Sequence, residues 1–260
     1  MADTLSNLIA DAEQGSHQAI LDVANYYFNQ NEFDDSISWY KKGAEYGYTD
    51  CMHLAAIVLN LKTIAIRNIS PEGTVEAQFE CIHEAIALIN RAREIDGDSE
   101  KLMSCWYDLM GQKGISQYYW GSSSSDERTQ IVRWQTGLNC LKTAYGHVSS
   151  RNVGFFLGLI IHSLFEVSPS LVSQADLELQ VHVFEECVEK YLKDIKYPGS
   201  ACALLGMIYM YGQGCPVNYD GAVRCFQLAG QCDEDMDCSD MLKHFRQTPN
   251  GWILLEEIDE

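Results

Sequence analysis

Basic residues are scarce in this 260-residue chain: 18 lysines and arginines stand against 37 aspartates and glutamates, a formal charge of −19 at pH 7. A field of that sign opposes approach to phosphate backbones and anionic lipid, so neither nucleic acid nor membrane is an expected partner. Met1 to Ala12 carries neither a basic leader nor an apolar core, and no secretory signal is expected. No apolar run approaches the roughly 18 residues that span a bilayer. The longest, Val153 to Ile161, is interrupted by Gly154 and Gly158. A cytoplasmic protein is expected, and its ten cysteines are then free thiols that behave as small apolar residues.

The usual linear signatures of chemistry are also missing. There is no Gly-x-Ser-x-Gly elbow and no phosphate-cradling glycine loop ending in Lys-Ser or Lys-Thr. His83-Glu84 lacks the second histidine of a zinc-protease helix. Cys202, Cys215, Cys225, Cys232 and Cys238 crowd the C-terminal part, yet no Cys-x-x-Cys pair occurs and only His244 lies nearby, so no zinc site is expected. The acids Asp233, Glu234, Asp235 and Asp237 alternate like the start of a calcium loop. Cys238 stands where that loop needs glycine, and His244 where it needs a bidentate glutamate. Neither a cofactor nor catalysis is expected.

What the chain does have is a repeat. From Gly15, small or apolar residues recur at +4, +8, +9 and +12: Ala19, Val23, Ala24 and Tyr27. The same offsets from Gly47 give Cys51, Ala55, Ala56 and Leu59, and from Tyr197 they give Ala201, Leu205, Gly206 and Tyr209. These spacings share one helix face, and a small residue at +9 lets a neighbouring helix come close. A second helix precedes each anchor: Ser36, Trp39, Tyr40, Gly43 and Ala44 lead into Gly47, and Ala222, Phe226, Ala229 and Gly230 lead into Asp233. Alternating large aromatic and small residues is the signature of interlocking helices. Intermediate anchors fall near Asp96, through Ala85, Leu88, Ile89 and Ala92, and near Tyr145, through Leu138, Leu141 and Lys142. A helix pair cannot bury its apolar face alone, so the units are expected to stack, with Thr4 to Gln14 capping the front and Ser239 to Gln247 the back.

The stretch Ala201 to Gly230 carries Leu-Gly, a tyrosine three residues on, Gly-x-Gly, Asp220, and an alanine followed by an aromatic. With Gly15 to Ala56, including Ser-Trp-Tyr-Lys-Lys-Gly-Ala at Ser38 to Ala44, it resembles the Sel-one-like repeat, a relative of the tetratricopeptide repeat. Ala65 to Val148 is similar only loosely. The resemblance implies an all-α fold, a right-handed α-solenoid of stacked antiparallel helix pairs with capping helices at both ends, acting as a scaffold or adaptor in protein complexes. Some secreted, cysteine-rich members link consecutive repeats by disulfides. Cys202 is suitably placed for one, but the preceding helix offers no matching cysteine.

Later units exceed a family repeat by about a dozen residues, around Lys62 to Val75, Gly111 to Asp126 and Phe165 to Gln174. Insertions at one recurrent position are expected as loops along one edge. In Ser116 to Asp126, Tyr118, Tyr119 and Trp120 precede a Gly-Ser run that resists regular structure, which makes these rings a candidate interface. The other candidate surface is the inner curve, where Asn25, Asn29, His53, Asn60, Phe155, Leu159, Met207 and Tyr211 face away from the small anchors. One repeat domain is expected over residues 1–247, followed by an acidic tail over 248–260. The expected function is non-catalytic binding of a protein partner, with the oligomeric state left open by the sequence. The alternative is a cytoplasmic inhibitor or immunity-type protein that neutralises a basic toxin or nuclease, motivated by the charge of −19.

Overall fold

The computed structural model describes residues 2–70, 74–148, 151–233 and 236–255. The protein is all-helical apart from one small hairpin. In chain order the helices are α1 (Ala2–Glu13), α2 (His17–Asn29), α3 (Phe33–Glu45), α4 (Thr49–Ile69), α5 (Val75–Asp96), α6 (Glu100–Ser123), α7 (Glu127–Ala144), α8 (Arg151–Val167), α9 (Gln174–Lys190), α10 (Pro198–Tyr211), α11 (Tyr219–Cys232) and α12 (Ser239–Lys243). Strands β1 (Phe245–Thr248) and β2 (Gly251–Leu254) follow. Contacts gather into two compact units. The first comprises Met1–Arg133 with Gly146–Val148, and the second Trp134–Tyr145 with Ser149–Glu260.

Four helices begin just after a glycine with positive φ: Gly15, Gly47, Gly97 and Gly146 precede α2, α4, α6 and α8. A left-handed residue closes one helix and re-aims the chain for the next, and glycine adopts it without a Cβ penalty. Two of these are the sequence anchors themselves, and two follow the anchors near Asp96 and Tyr145 by one residue. At the last junction Pro198 opens α10 instead, with φ already set for the first helical turn.

In the first unit, Ile20, Val23 and Ala24 of α2, Tyr40 and Ala44 of α3, and Met52, Ala55 and Ala56 of α4 form one core, extended by Ala85 and Ile89 of α5 and Leu109 of α6. In the second unit, Cys202 and Met210 of α10 pack with Ala222, Phe226 and Ala229 of α11 and with Phe245 of β1. The +9 position explains the close approach of α10 to α11: atoms of the Phe226 ring stand where a side chain on Gly206 would need room.

Three expected loops are largely helix. The segment 62–75 is α4 as far as Ile69, Gly111 to Asp126 is α6 as far as Ser123, and Phe165 to Gln174 is an α8 end followed by a single 3-10 turn, Pro169–Leu171. The extra residues lengthen helices rather than making a rim, because they carry helical apolar spacing of their own: Ile115 and Tyr119, four apart on α6, are both buried. Helix α4 also has the length and hydropathy of a membrane span, which its apolar runs do not reveal. Its polar residues His53, Thr63 and Arg67 are buried within the first unit, as in a core helix of a folded domain. At the C-terminus, the back cap is helical only to Lys243, and residues from 248, expected as a tail, include β2, paired antiparallel with β1. Trp252 N–H donates to the Asp220 carboxylate at 2.9 Å, which fixes the hairpin to α11. The rest of that segment, 256–260, and the acids Glu234 and Asp235 lie outside the described residues.

Candidate functional site

Helix α4 presents His53, Ile57, Asn60 and Leu61 at i, i+4, i+7 and i+8, which is one helix face. Helix α6 answers with Lys101, Ser104, Cys105 and Asp108 at i, i+3, i+4 and i+7. These two faces line one cavity of about 390 Å³ in the first unit. That size lies within the range of ligand sites. Lys101 and Ser104 are exposed, Asp108 is half-buried, and His53 and Cys105 are buried.

Electrostatics divide the cavity into two ends. His53 is 6% exposed, and its pKa is pushed down to about 4, by burial first and then by the Lys101 ammonium, against a smaller opposing pull from Asp50. The imidazole is therefore neutral at pH 7. Cys105 is pushed up to about 12, again by burial first, with the Asp108 carboxylate adding to it and Lys101 opposing it, which places this thiol between the two charges. Burial also raises Asp108 above the usual carboxylate range. His53 Nδ1 and Asn60 Oδ1 are buried without a hydrogen-bond partner among the described residues. A buried polar atom left unmet costs about 1–3 kcal/mol. Neither atom has accessible surface, so what the cavity offers a bound molecule is the Lys101 ammonium, the Asp108 carboxylate and the remaining atoms of the His53 and Asn60 side chains.

Further along, Arg67, Gln78 and Ser116 find partners in one another and in Gln112. Arg67 Nε donates to Gln78 Oε1 at 3.3 Å and its Nη2 to Gln112 Oε1 at 2.8 Å, while Ser116 donates to Gln78 Oε1 at 2.9 Å. That network ties α4, α5 and α6 together and fixes the register across which His53 faces Lys101.

The predicted site residues part company here. His53 and Asn60 share the cavity. Asn25 and Asn29 are exposed on α2, and Asn25 accepts a hydrogen bond from Tyr40 at 2.8 Å. Tyr118, Tyr119 and Trp120 belong to helix α6, not to a loop: Tyr119 is buried, and Trp120 lies against the Phe79 ring with the Arg133 guanidinium stacked over it at 3.3 Å. Two of the three are thereby committed to packing. Phe155 is core, 2% exposed among Phe156, Phe184 and Tyr197, and presents no surface. Leu159 and Met207 are half-buried, and Tyr211 is exposed at the end of α10. Lys101, Ser104, Cys105 and Asp108 escape sequence reasoning; their one signal is the helical spacing of polar side chains at the start of α6.

One other cluster brings metal-ligand types together. His17 Nε2 lies 2.9 Å from Asp50 Oδ1, with the Cys51 thiol close by. Burial first, then the Asp50 charge and hydrogen bond, push that thiol up to about 12. Comparison with family models and with curated proteins finds no match for this chain.

Proposed function

We propose that this protein is a non-catalytic scaffold, an α-solenoid of Sel-one-like helix pairs acting in the cytoplasm, which grips a protein partner in the cavity between α4 and α6. The observation that carries this reading is one cavity lined by Lys101 and Asp108, neither of which makes an ion pair among the described residues, beside the polar side chains of His53 and Asn60. The chemistry of the lining favours binding over reaction. Its histidine is held neutral by burial, its thiol is held protonated, and no hydrogen bond joins these two groups as base and nucleophile among the described residues. An acidic chain attracts basic partners from a distance, which is the ground for the inhibitor alternative.

A photo-crosslinking residue in place of Leu61, which is exposed and lines the cavity, tests the reading against the same residue in place of Asn29, exposed on α2. A defined partner captured at 61 and lost when Asn60→Leu is added supports it. Equal capture at both positions moves the binding surface elsewhere. Capture that vanishes in high salt, with a basic protein recovered, favours the inhibitor.

A further inference from the structure

From the two ends of this cavity we infer that it recognises an extended partner segment carrying an acidic side chain and a basic side chain two residues apart, the acid seated at His53 and Lys101 and the base at Asn60 and Asp108. The inference rests on the cavity being the binding site. Lys101 makes no ion pair among the described residues, and neither does Asp108. They cannot neutralise each other. Seven residues apart on α6, their Cα atoms stand about 10 Å apart along the helix axis.

Each end has a matching chemistry. At the first, the Lys101 ammonium is a donor, and the His53 ring, with Nδ1 buried and unmet, keeps its proton at lower cost on Nε2, where it also acts as a donor. Two donors suit a carboxylate. At the second end the half-buried Asp108 carboxylate, beside the Asn60 side chain, is an acceptor, which suits an ammonium or guanidinium. In an extended chain, side chains two residues apart share a face and stand about 7 Å apart. The outward splay of a long basic side chain covers the remaining distance to the ends of the cavity. Ile57, between the two polar ends on α4, offers the intervening stretch an apolar wall.

The test uses the full chain, isotopically labelled, with amide shifts of α4 and α6 followed as capped peptides are added. Acetyl-Gly-Glu-Ala-Lys-Gly-amide is the probe, and the same peptide with glutamine at both charged positions is its control. The probe is expected to bind about tenfold more tightly than the control, with shifts centred on residues 53–61 and 101–108. Lys101→Glu changes an exposed side chain and is expected to reverse the preference, weakening the Glu-Ala-Lys peptide about tenfold and strengthening Lys-Ala-Lys by a similar factor. A gain of binding cannot come from misfolding. Equal affinity for charged and neutral peptides overturns the inferred polarity; if crosslinking from position 61 still captures a partner, the proposed function survives that failure. Shifts confined to other helices, together with no crosslink from position 61, overturn both.

Discussion

Adding one methyl group at Gly206 should destabilise the protein, and removing part of one ring should reverse the sign. A Cβ on Gly206 would stand 2.7 Å from Cε1, 2.8 Å from Cδ1 and 3.0 Å from Cζ of Phe226. Phe226 is 1% exposed, so the ring has nowhere to swing. Overpacking a tight core costs about 1–3 kcal/mol, and three ring atoms at or inside 3 Å argue for the upper half of that range. Against this, Gly→Ala inside a helix gains about 1 kcal/mol from propensity. Gly206→Ala should therefore cost about 1–2 kcal/mol net. In a Phe226→Leu background Cε1 and Cζ are gone, and the same alanine should stabilise by up to about 1 kcal/mol. The resulting coupling energy is about 1–3 kcal/mol in favour of the double variant. Hydrogen exchange of the α10 and α11 amides reads the opening free energy of this unit directly, without assuming that both units unfold together. The same sign for Gly206→Ala in both backgrounds would refute the claim that the missing side chain is what lets α11 approach α10.

Two further outcomes follow from burial. His53 has a folded pKa near 4 against an unfolded value near 6.5, so between these values the unfolded chain binds the proton first. Stability should fall as pH drops from about 6.5 to 4, by on the order of 2 kcal/mol, and His53→Gln should flatten that slope in urea titrations of the first unit; an unchanged slope would remove His53 as its cause. Burial, the largest cause in each case, pushes the Cys51, Cys105, Cys187 and Cys202 thiols up to about 12, whereas Cys215 and Cys232 are the two half-buried cysteines. Alkylation mapped by mass spectrometry at pH 8 should therefore label Cys215 and Cys232 first and reach those four only on unfolding, and early labelling of Cys51 would contradict its burial.

What could be read from the sequence was local. Gly15 and Gly47 are legible because one backbone conformation at a junction demands glycine, and the small residues after them lie on a single helix. The pairing of Gly206 with Phe226 is legible for the same reason, since the two helices are consecutive and one aromatic answers one gap. Gly121 and the serines after it, by contrast, point to a loop by propensity, and propensity loses there to burial. Ser116, Tyr119 and Gly121 all turn inward on α6, and the gain from packing that face outweighs the weak helix preference of the run. Phe155 misleads in a related way, because an aromatic on an inner helix fits either a groove or a core until the facing helix is known, and Phe184 of α9 is what closes over it.

The cavity between α4 and α6 is harder still to read, because its two halves lie nearly fifty residues apart with α5 between them. His53 and Asn60 can be assigned to a common face from spacing alone. Which residues meet them depends on how far α6 slides along α4, and one helical turn of slip would put Ser104 or Cys105 where Lys101 now stands. That slip is opposed by side chains with no part in the cavity. Arg67 holds Gln78 of α5 and Gln112 of α6 together, and Ser116 binds the same Gln78 oxygen. A buried arginine that donates to two different side chains tolerates little displacement, because moving either partner leaves a charged donor unmet at a cost of several kcal/mol. The network thus sets the register from three turns away, and with it the two-ended charge of the cavity on which its binding preference depends.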